Sequence, residues 1–447
     1  MNDKKKIFLV IMGILTIFII IIFMVIMWNW GNSKNVTKSA NNFKIWILND
    51  SKEDFAAFIE DFKKDKGISN FTTTIESFDS YENYNKALSS AIVRWEAPDI
   101  YMLNNNEKSI FLENASWINP NIINPDELSS GWNFKWFFAD DLIMSSWEGD
   151  NRIEFLAWIP FWFETLGVYI NTTKKWWLAD ISSFPKIRNS IEDFNKRNKQ
   201  TVALWIGRWI TVMYVEDIIT QFIMSDWINN ILWLQWSNIR NIFSEYFDYA
   251  SWKNNYISKD IILKWQWKTN LDLFVDWEIA MIFGYPRMLF DIDERGFSKT
   301  KLRVSNFPTF INDSNTLVNY NYFVVNKNSN NQDMAYTLLK YIFSEEWEKK
   351  YLKHFNYYIP ARWNLREELS DRVIIDSLKF VKLKDFYDSS ANYSSFDKGL
   401  KDIYDREMIK LVDSEENYLI NIQNFVLDMK CKTDKVIRLE NLSKNCK

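Results

Sequence analysis

The chain has 447 residues, 47% of them apolar, enough for two buried cores, and its 54 basic and 58 acidic residues nearly cancel at a formal charge of −4. That balance offers no basic field and argues against a nucleic-acid partner. One histidine and two cysteines nearly exclude a His/Cys metal centre, and His354 would have to serve any Ser-His-Asp or Cys-His nucleophile.

The elements follow in chain order. Ile7 to Met27 form 21 residues without a charge, long enough to cross a bilayer core as a helix. Lys4, Lys5 and Lys6 precede the run, which predicts a cytoplasmic N-terminus and an outward-facing remainder. The run ends in MVIM with no small-residue cleavage pattern and no following cysteine, so residues 1–27 are expected to be an uncleaved anchor. Residues 28–42 read as a polar linker. From Phe43, FKIWIL predicts a first strand, and Ser51 with Asp54 begins an amphipathic helix through Phe55, Phe58, Ile59 and Phe62. FTTTIESF predicts a second strand, Tyr84 to Val93 a helix and PDIYML a buried third strand, an alternation that suggests a parallel sheet. The pattern renews after Ile159: LGVYIN as a strand, Val215 to Ser225 as a helix, then IAMIF and NYFVVN as strands. One long helix is expected over 333–355, and the chain beyond Pro360 reads as mostly helical. Cys431 and Cys446 allow either a disulfide closing a short tail loop or two unpaired thiols.

Catalytic signals are weak. LWIGRWIT reads as a loop, and Asp140–Asp141 and Asp291/Asp293/Glu294 sit in polar, loop-like settings that favour solvated surface acids over a glycosidase pair.

Composition holds one anomaly: 10 glycines against 23 tryptophans. Glycine ordinarily makes up about 7% of a chain. The tryptophans stand where turns want small residues: Trp28 and Trp30 in a polar linker, Trp95 between a helix and a strand, Trp147 in SSWEGD, Trp176–Trp177 after a helix-like run, and Trp265, Trp267 and Trp277 in polar surroundings. Either the protein is rich in tryptophan, or UGA codons that the cell reads as glycine are written here as tryptophan.

Five segments in order resemble the extracellular solute-binding proteins of ABC importers, the group that includes maltose-binding protein. They are ALSSAIVRWEAPDIYML, IPFWFETLGVYINTTKKWWL, FVDWEIAMIFGYP, NYFVVNKNSNNQDMAYTLLKYIFSEEWEKKY and YYIPARWNL, and the resemblance spans about residues 43–370. Trp95, Trp177 and Trp277 stand where that family carries glycine. The resemblance implies an α/β, two-lobed periplasmic-binding-protein-like fold, each lobe a sheet flanked by helices, here behind a transmembrane helix. Residues 43–160 plus 320–353 would form the first lobe, and 161–319 plus 354–447 the second, with a helical C-terminal tail. The chain would cross between lobes near Pro160, Tyr320 and His354. The implied function is recognition rather than reaction: a small solute, expected to be a carbohydrate, is captured on the extracytoplasmic side and delivered to permease subunits, with no cofactor. A tethered sensor or adhesion ectodomain on the same fold, or a polysaccharide hydrolase, are the alternatives. The candidate cleft contacts are Asn49, Asp50, Phe161, Glu164, Tyr285, Arg287, Tyr320, Tyr322, Tyr357 and Tyr358. Trp162 joins them as a stacking surface if it is truly tryptophan, and Arg287 stands where sugar-binding members place an aromatic ring.

Overall fold

The computed structural model describes residues 42–48, 52–68, 71–111, 114–116, 143–148, 151–156, 160, 162–173, 181–198, 201–225, 228, 230–250, 260, 263–308, 315–354, 356–387, 392–414, 418–438 and 446. The expected anchor at 7–27, the linker up to residue 41, Asn49, Asp50, Phe161, Asp140–Asp141 and Trp176–Trp177 lie outside these residues. Among the described residues no helix is long and apolar enough to cross a membrane.

The first sheet runs in the order Thr72–Phe78, Asn42–Leu48, Ile100–Asn104, Asn321–Asn326, Ala115–Ser116. Alternation sets its inner face: Phe43, Ile45 and Ile47 are fully buried while Asn42 and Lys44 are exposed. Ile100–Asn104 is buried along its whole length, as its unbroken apolar run predicts for a strand covered on both faces. The helix Lys52–Lys66 buries Phe55, Phe58, Ile59 and Phe62, the four residues that its spacing singled out. Each such side chain contributes about 1.5–3 kcal/mol. The first three strands are parallel as expected, but Asn321–Asn326 runs antiparallel to Ile100–Asn104, so the sheet is mixed. A segment returning from the far half of the chain enters this sheet from the opposite end, without the crossover that a parallel neighbour needs.

The second sheet runs Leu302–Asn306, Gly167–Asn171, Ile279–Gly284, Val202–Leu204. Only its last pair is parallel. Val168, Ile170, Met281 and Phe283 face one apolar cluster, and Tyr169, Ile282, Leu302 and Val304 face the other. A small third sheet runs in the order Ile359–Pro360, Trp162–Thr165, Asn315–Asn319, Asn392–Ser394. In it Trp162–Thr165 pairs with both Asn315–Asn319 and Ile359–Pro360.

The single helix expected at 333–355 is two, Gln332–Ile342 and Glu345–His354. Ser344 starts the second: its Oγ accepts from the Trp347 N–H, and Glu345, Glu346 and Glu348 fill the first turn. Arg362 holds the break by donating to the Phe343 carbonyl at 2.7 Å and to Glu348 at 2.9 Å. Asp291, Asp293 and Glu294 belong to a helix, Met288–Glu294, rather than to a loop. After Pro360 come the helices Trp363–Leu369, Lys401–Asp413 and Tyr418–Ile437, interrupted by the strand Asn392–Ser394. Cys431 and Cys446 form a disulfide, which resolves the two readings of the tail.

Candidate functional site

A ring of hydrogen bonds joins the two halves where the strands of the first sheet end. Asn104 ends the third strand at its carboxyl edge, Asn105 and Asn106 follow it, and all three are buried. Asn105 ties the edge down, accepting from the Tyr320 N–H at 2.8 Å and donating to the Val318 carbonyl at 3.0 Å. Asn106 donates to Asn319 Oδ1 at 2.8 Å, and Asn319 donates to the Tyr285 hydroxyl at 2.7 Å. Tyr285 donates to Asp217 Oδ2 at 2.9 Å, and Lys398 Nζ donates to Asp217 Oδ1 at 2.6 Å. The Lys398 N–H closes the ring on the Asn106 carbonyl at 2.7 Å. Burial alone would raise the Asp217 carboxyl, but Lys398, Lys401 and the Tyr285 hydroxyl bring it down to about 2. Lys398, pressed toward neutrality by burial, is held protonated by Asp217 and Asp405, so this is a settled ion pair with its hydrogen bonds made.

Glu164 is in a different condition. It sits in the joining strand Trp162–Thr165, opposite Asn319, and is buried. Its Oε1 has no hydrogen-bond partner among the described residues. Burial raises its pKa, Arg287 opposes that rise, and Asp217 adds to it. The influence is mutual: Glu164 is the largest cause holding the Arg287 guanidinium protonated. Yet no ion pair joins the two among the described residues, and Arg287 is exposed. The guanidinium lies over the rings of Tyr214 at 5.5 Å and Tyr285 at 5.6 Å, which meet edge to face. Tyr214 holds its ring there from a left-handed backbone, φ +58°, at the start of the helix Val215–Met224. A bulky residue in that conformation is strained, which is common at ligand clamps.

Residues beside the first sheet and in the tail come within reach of the same charges. Tyr81 opens the helix Tyr81–Val93, and its hydroxyl accepts from Asn104 at 2.8 Å. Burial raises its pKa, Lys401 and Arg287 lower it, and Glu107 and Glu164 raise it, so charges from both halves converge on one hydroxyl. Glu107 accepts from the Lys401 N–H at 3.0 Å and from Asn85 at 2.5 Å, and burial pushes its pKa up to about 7.

Of the residues expected at the cleft, Glu164 and Arg287 influence one another electrostatically without an ion pair between them among the described residues. Tyr285 is fully enclosed, with its ring under the Arg287 guanidinium and its hydroxyl donating to Asp217. Tyr320 and Tyr322 are also fully enclosed, 6.0 Å apart. Tyr358 is 5% exposed and stacks on Trp162 at 3.5 Å and 8°, so one face of the indole is already occupied. Tyr357 is half-buried against Phe290 and Tyr358. Sequence reasoning missed Tyr81, Tyr214, Asp217, Asn319 and Lys398. The Asn104–Asn106 run, three amides at the carboxyl end of a strand, was the one readable signal, because ligands of open α/β sheets sit beyond the carboxyl ends of the strands. Two surface cavities lie elsewhere: one of about 310 Å³ lined by Lys44, Trp95, Asp99 and Asn331, and one of about 510 Å³ between the last two helices beside Cys446.

Residues 57–373 match the family described as bacterial extracellular solute-binding protein. The fold is similar to that of the ligand-free maltodextrin-binding protein MalE1 of L. casei BL23, with a TM-score of 0.58 at 12% identity over 88% of this chain and 99% of that one. No curated protein sequence matches the chain.

Proposed function

Because the chain belongs to the bacterial extracellular solute-binding proteins, we propose that it captures a small, hydroxyl-rich solute, a carbohydrate, between its lobes and delivers it to an ABC importer. In this reading residues 7–27 tether it to the membrane it serves. The observation that carries the proposal is the Glu164–Arg287 arrangement: a buried carboxylate with an oxygen left over, an exposed guanidinium that senses it, and no contact between them. An uncompensated buried carboxylate is costly unless a donor arrives. A sugar hydroxyl satisfies both sides at once, donating to Glu164 and accepting from Arg287. Because the carboxylate and the guanidinium offset one another, a neutral solute fits better than a charged one. A hydrolase would need a second carboxylate facing Glu164, and Asp217 is committed to Lys398 and Tyr285. Calorimetric titration with maltose, maltotriose and glucuronate tests this reading. Saturable binding of a neutral sugar, weakened at least tenfold in Glu164→Gln, supports it. Binding of glucuronate alone, or of a sugar indifferent to that substitution, contradicts it.

A further inference from the structure

The backbone carries its own record of what its side chains should be. Among the described residues five that are not glycine adopt a positive φ: Trp95 at +61°, Trp209 at +85°, Tyr214 at +58°, Trp267 at +74° and Trp277 at +63°. Four of the five are tryptophan, a residue that fills only 23 of 447 positions. Left-handed backbone admits glycine freely and asparagine or aspartate with some ease, while a bulky aromatic there is an outlier.

The helix ends supply an internal control. The helix Lys52–Lys66 closes with the Ile68 N–H donating to the Lys63 carbonyl and Gly67 to Lys64, with Gly67 at φ +64°. The helix Met288–Glu294 closes in the same way, with Phe297 donating to Ile292, Gly296 to Asp293, and Gly296 at φ +67°. The helix Tyr81–Val93 repeats the pattern, with Glu96 donating to Ala91 and Trp95 to Ile92. So does Asn270–Val275, with Glu278 donating to Leu273 and Trp277 to Phe274. These are four copies of one paired capping motif whose left-handed residue is ordinarily glycine. Two copies have glycine and two have tryptophan. At Trp267 the reason is a turn, closed by the Lys268 N–H on the Trp265 carbonyl, whose third residue takes the positive φ that asks for glycine. Burial agrees, since Trp95 is 81% and Trp267 92% exposed, gaining almost nothing from their size.

Other tryptophans look different. Trp347 is 4% exposed, with its ring 4.2 Å from that of Phe58 and 4.9 Å from that of Tyr351. Trp46 lies in a strand against Phe78 and Tyr84. Trp265, expected among the misplaced ones, is not among the residues of positive φ, and it is buried with its ring 6.5 Å from that of Trp205.

We propose that positions 95, 209, 267 and 277 are glycine in the protein the cell makes, and that Trp46 and Trp347 are true tryptophans. The chain would then come from a cell that reads one codon as glycine where the written sequence has tryptophan, while a second codon still encodes tryptophan. Peptide mass spectrometry of the protein purified from its own cells decides this, using the tryptic peptides that start at position 95, that span 269–287, and that span 341–349. The expected masses carry glycine at 95 and 277 and tryptophan at 347. Tryptophan at 95 or at 277, or glycine at 347, overturns the proposal. As a second measurement, recombinant chain with Trp95→Gly and Trp277→Gly should melt at a higher temperature than the chain as written, and a lower melting temperature would count against it.

Discussion

Two buried carboxylates, Asp217 in the helix Val215–Met224 and Glu164 in the strand Trp162–Thr165, behave in opposite ways. Asp217 has each oxygen bonded, to Lys398 and to Tyr285, and is pulled down to about 2. Glu164 has an oxygen without a partner, is pushed up by burial, and senses a guanidinium that does not reach it. The first is a finished interaction, useful to stability whether or not a ligand is present. The second becomes complete only when something else enters. Glu348 also has a buried oxygen without a hydrogen-bond partner, but its other oxygen is bonded to Arg362, so what sets Glu164 apart is that no cation among the described residues holds it.

The largest test of the contrast is to break the finished pair. Lys398→Met leaves Asp217 buried without its cation and should cost about 3–5 kcal/mol of stability, seen as a lower denaturation midpoint in urea. Adding Asp217→Leu should recover most of the loss, and a Lys398→Met protein as stable as the parent would undo the comparison. Glu164→Gln should do the reverse. The melting temperature should hold or rise, because a buried charge is gone, while solute binding weakens by about 1.5–3 kcal/mol, the scale of a charged hydrogen bond.

Acid separates the two by sign. Asp217 has a depressed pKa, so its contribution is present above pH 3.8 and is lost as the pH falls toward 2, about 2 kcal/mol in all. Glu164 has a raised pKa, so its effect on stability is most favourable below pH 4.5 and declines as the pH climbs through its folded value. Glu107 and Glu348, both raised by burial to about 7, add a decline of the same sign between pH 4.5 and 7. Melting temperatures measured from pH 3 to 8 should peak near the acid end of that range, and Glu348→Gln should flatten the fall. The smallest effect is expected at Tyr214. Tyr214→Ala removes a ring from beneath Arg287 and should weaken binding by about 0.5–1 kcal/mol, with Tyr214→Phe near the parent.

Much of the fold could be read from the chain before any coordinates. The helix Lys52–Lys66 follows from an apolar period of 3.6 and the strand Asn42–Leu48 from one of 2, while Gly167–Asn171 and Asn321–Asn326 follow from short apolar runs buried on both faces. The direction of Asn321–Asn326 was not legible, because strand pairing is set by the path of the chain across more than 200 residues. The break at Ser344 was present in SEEWE but was hidden by an apolar period that continues through it. In the site, Glu164 and Arg287 came from resemblance to a family and not from their immediate neighbours. Asp217 and Lys398 stayed invisible because they are 181 residues apart and nothing local marks either of them as buried.

The account rests on Glu164 being the group that waits for a ligand. Calorimetric titration of maltotriose and maltose into the protein from its own cells and into Glu164→Gln, both at neutral pH, tests it most directly. The account predicts a saturable isotherm for the parent and at least a tenfold weaker one for the variant, with folding intact by melting temperature. Equal affinity in the two proteins would contradict it.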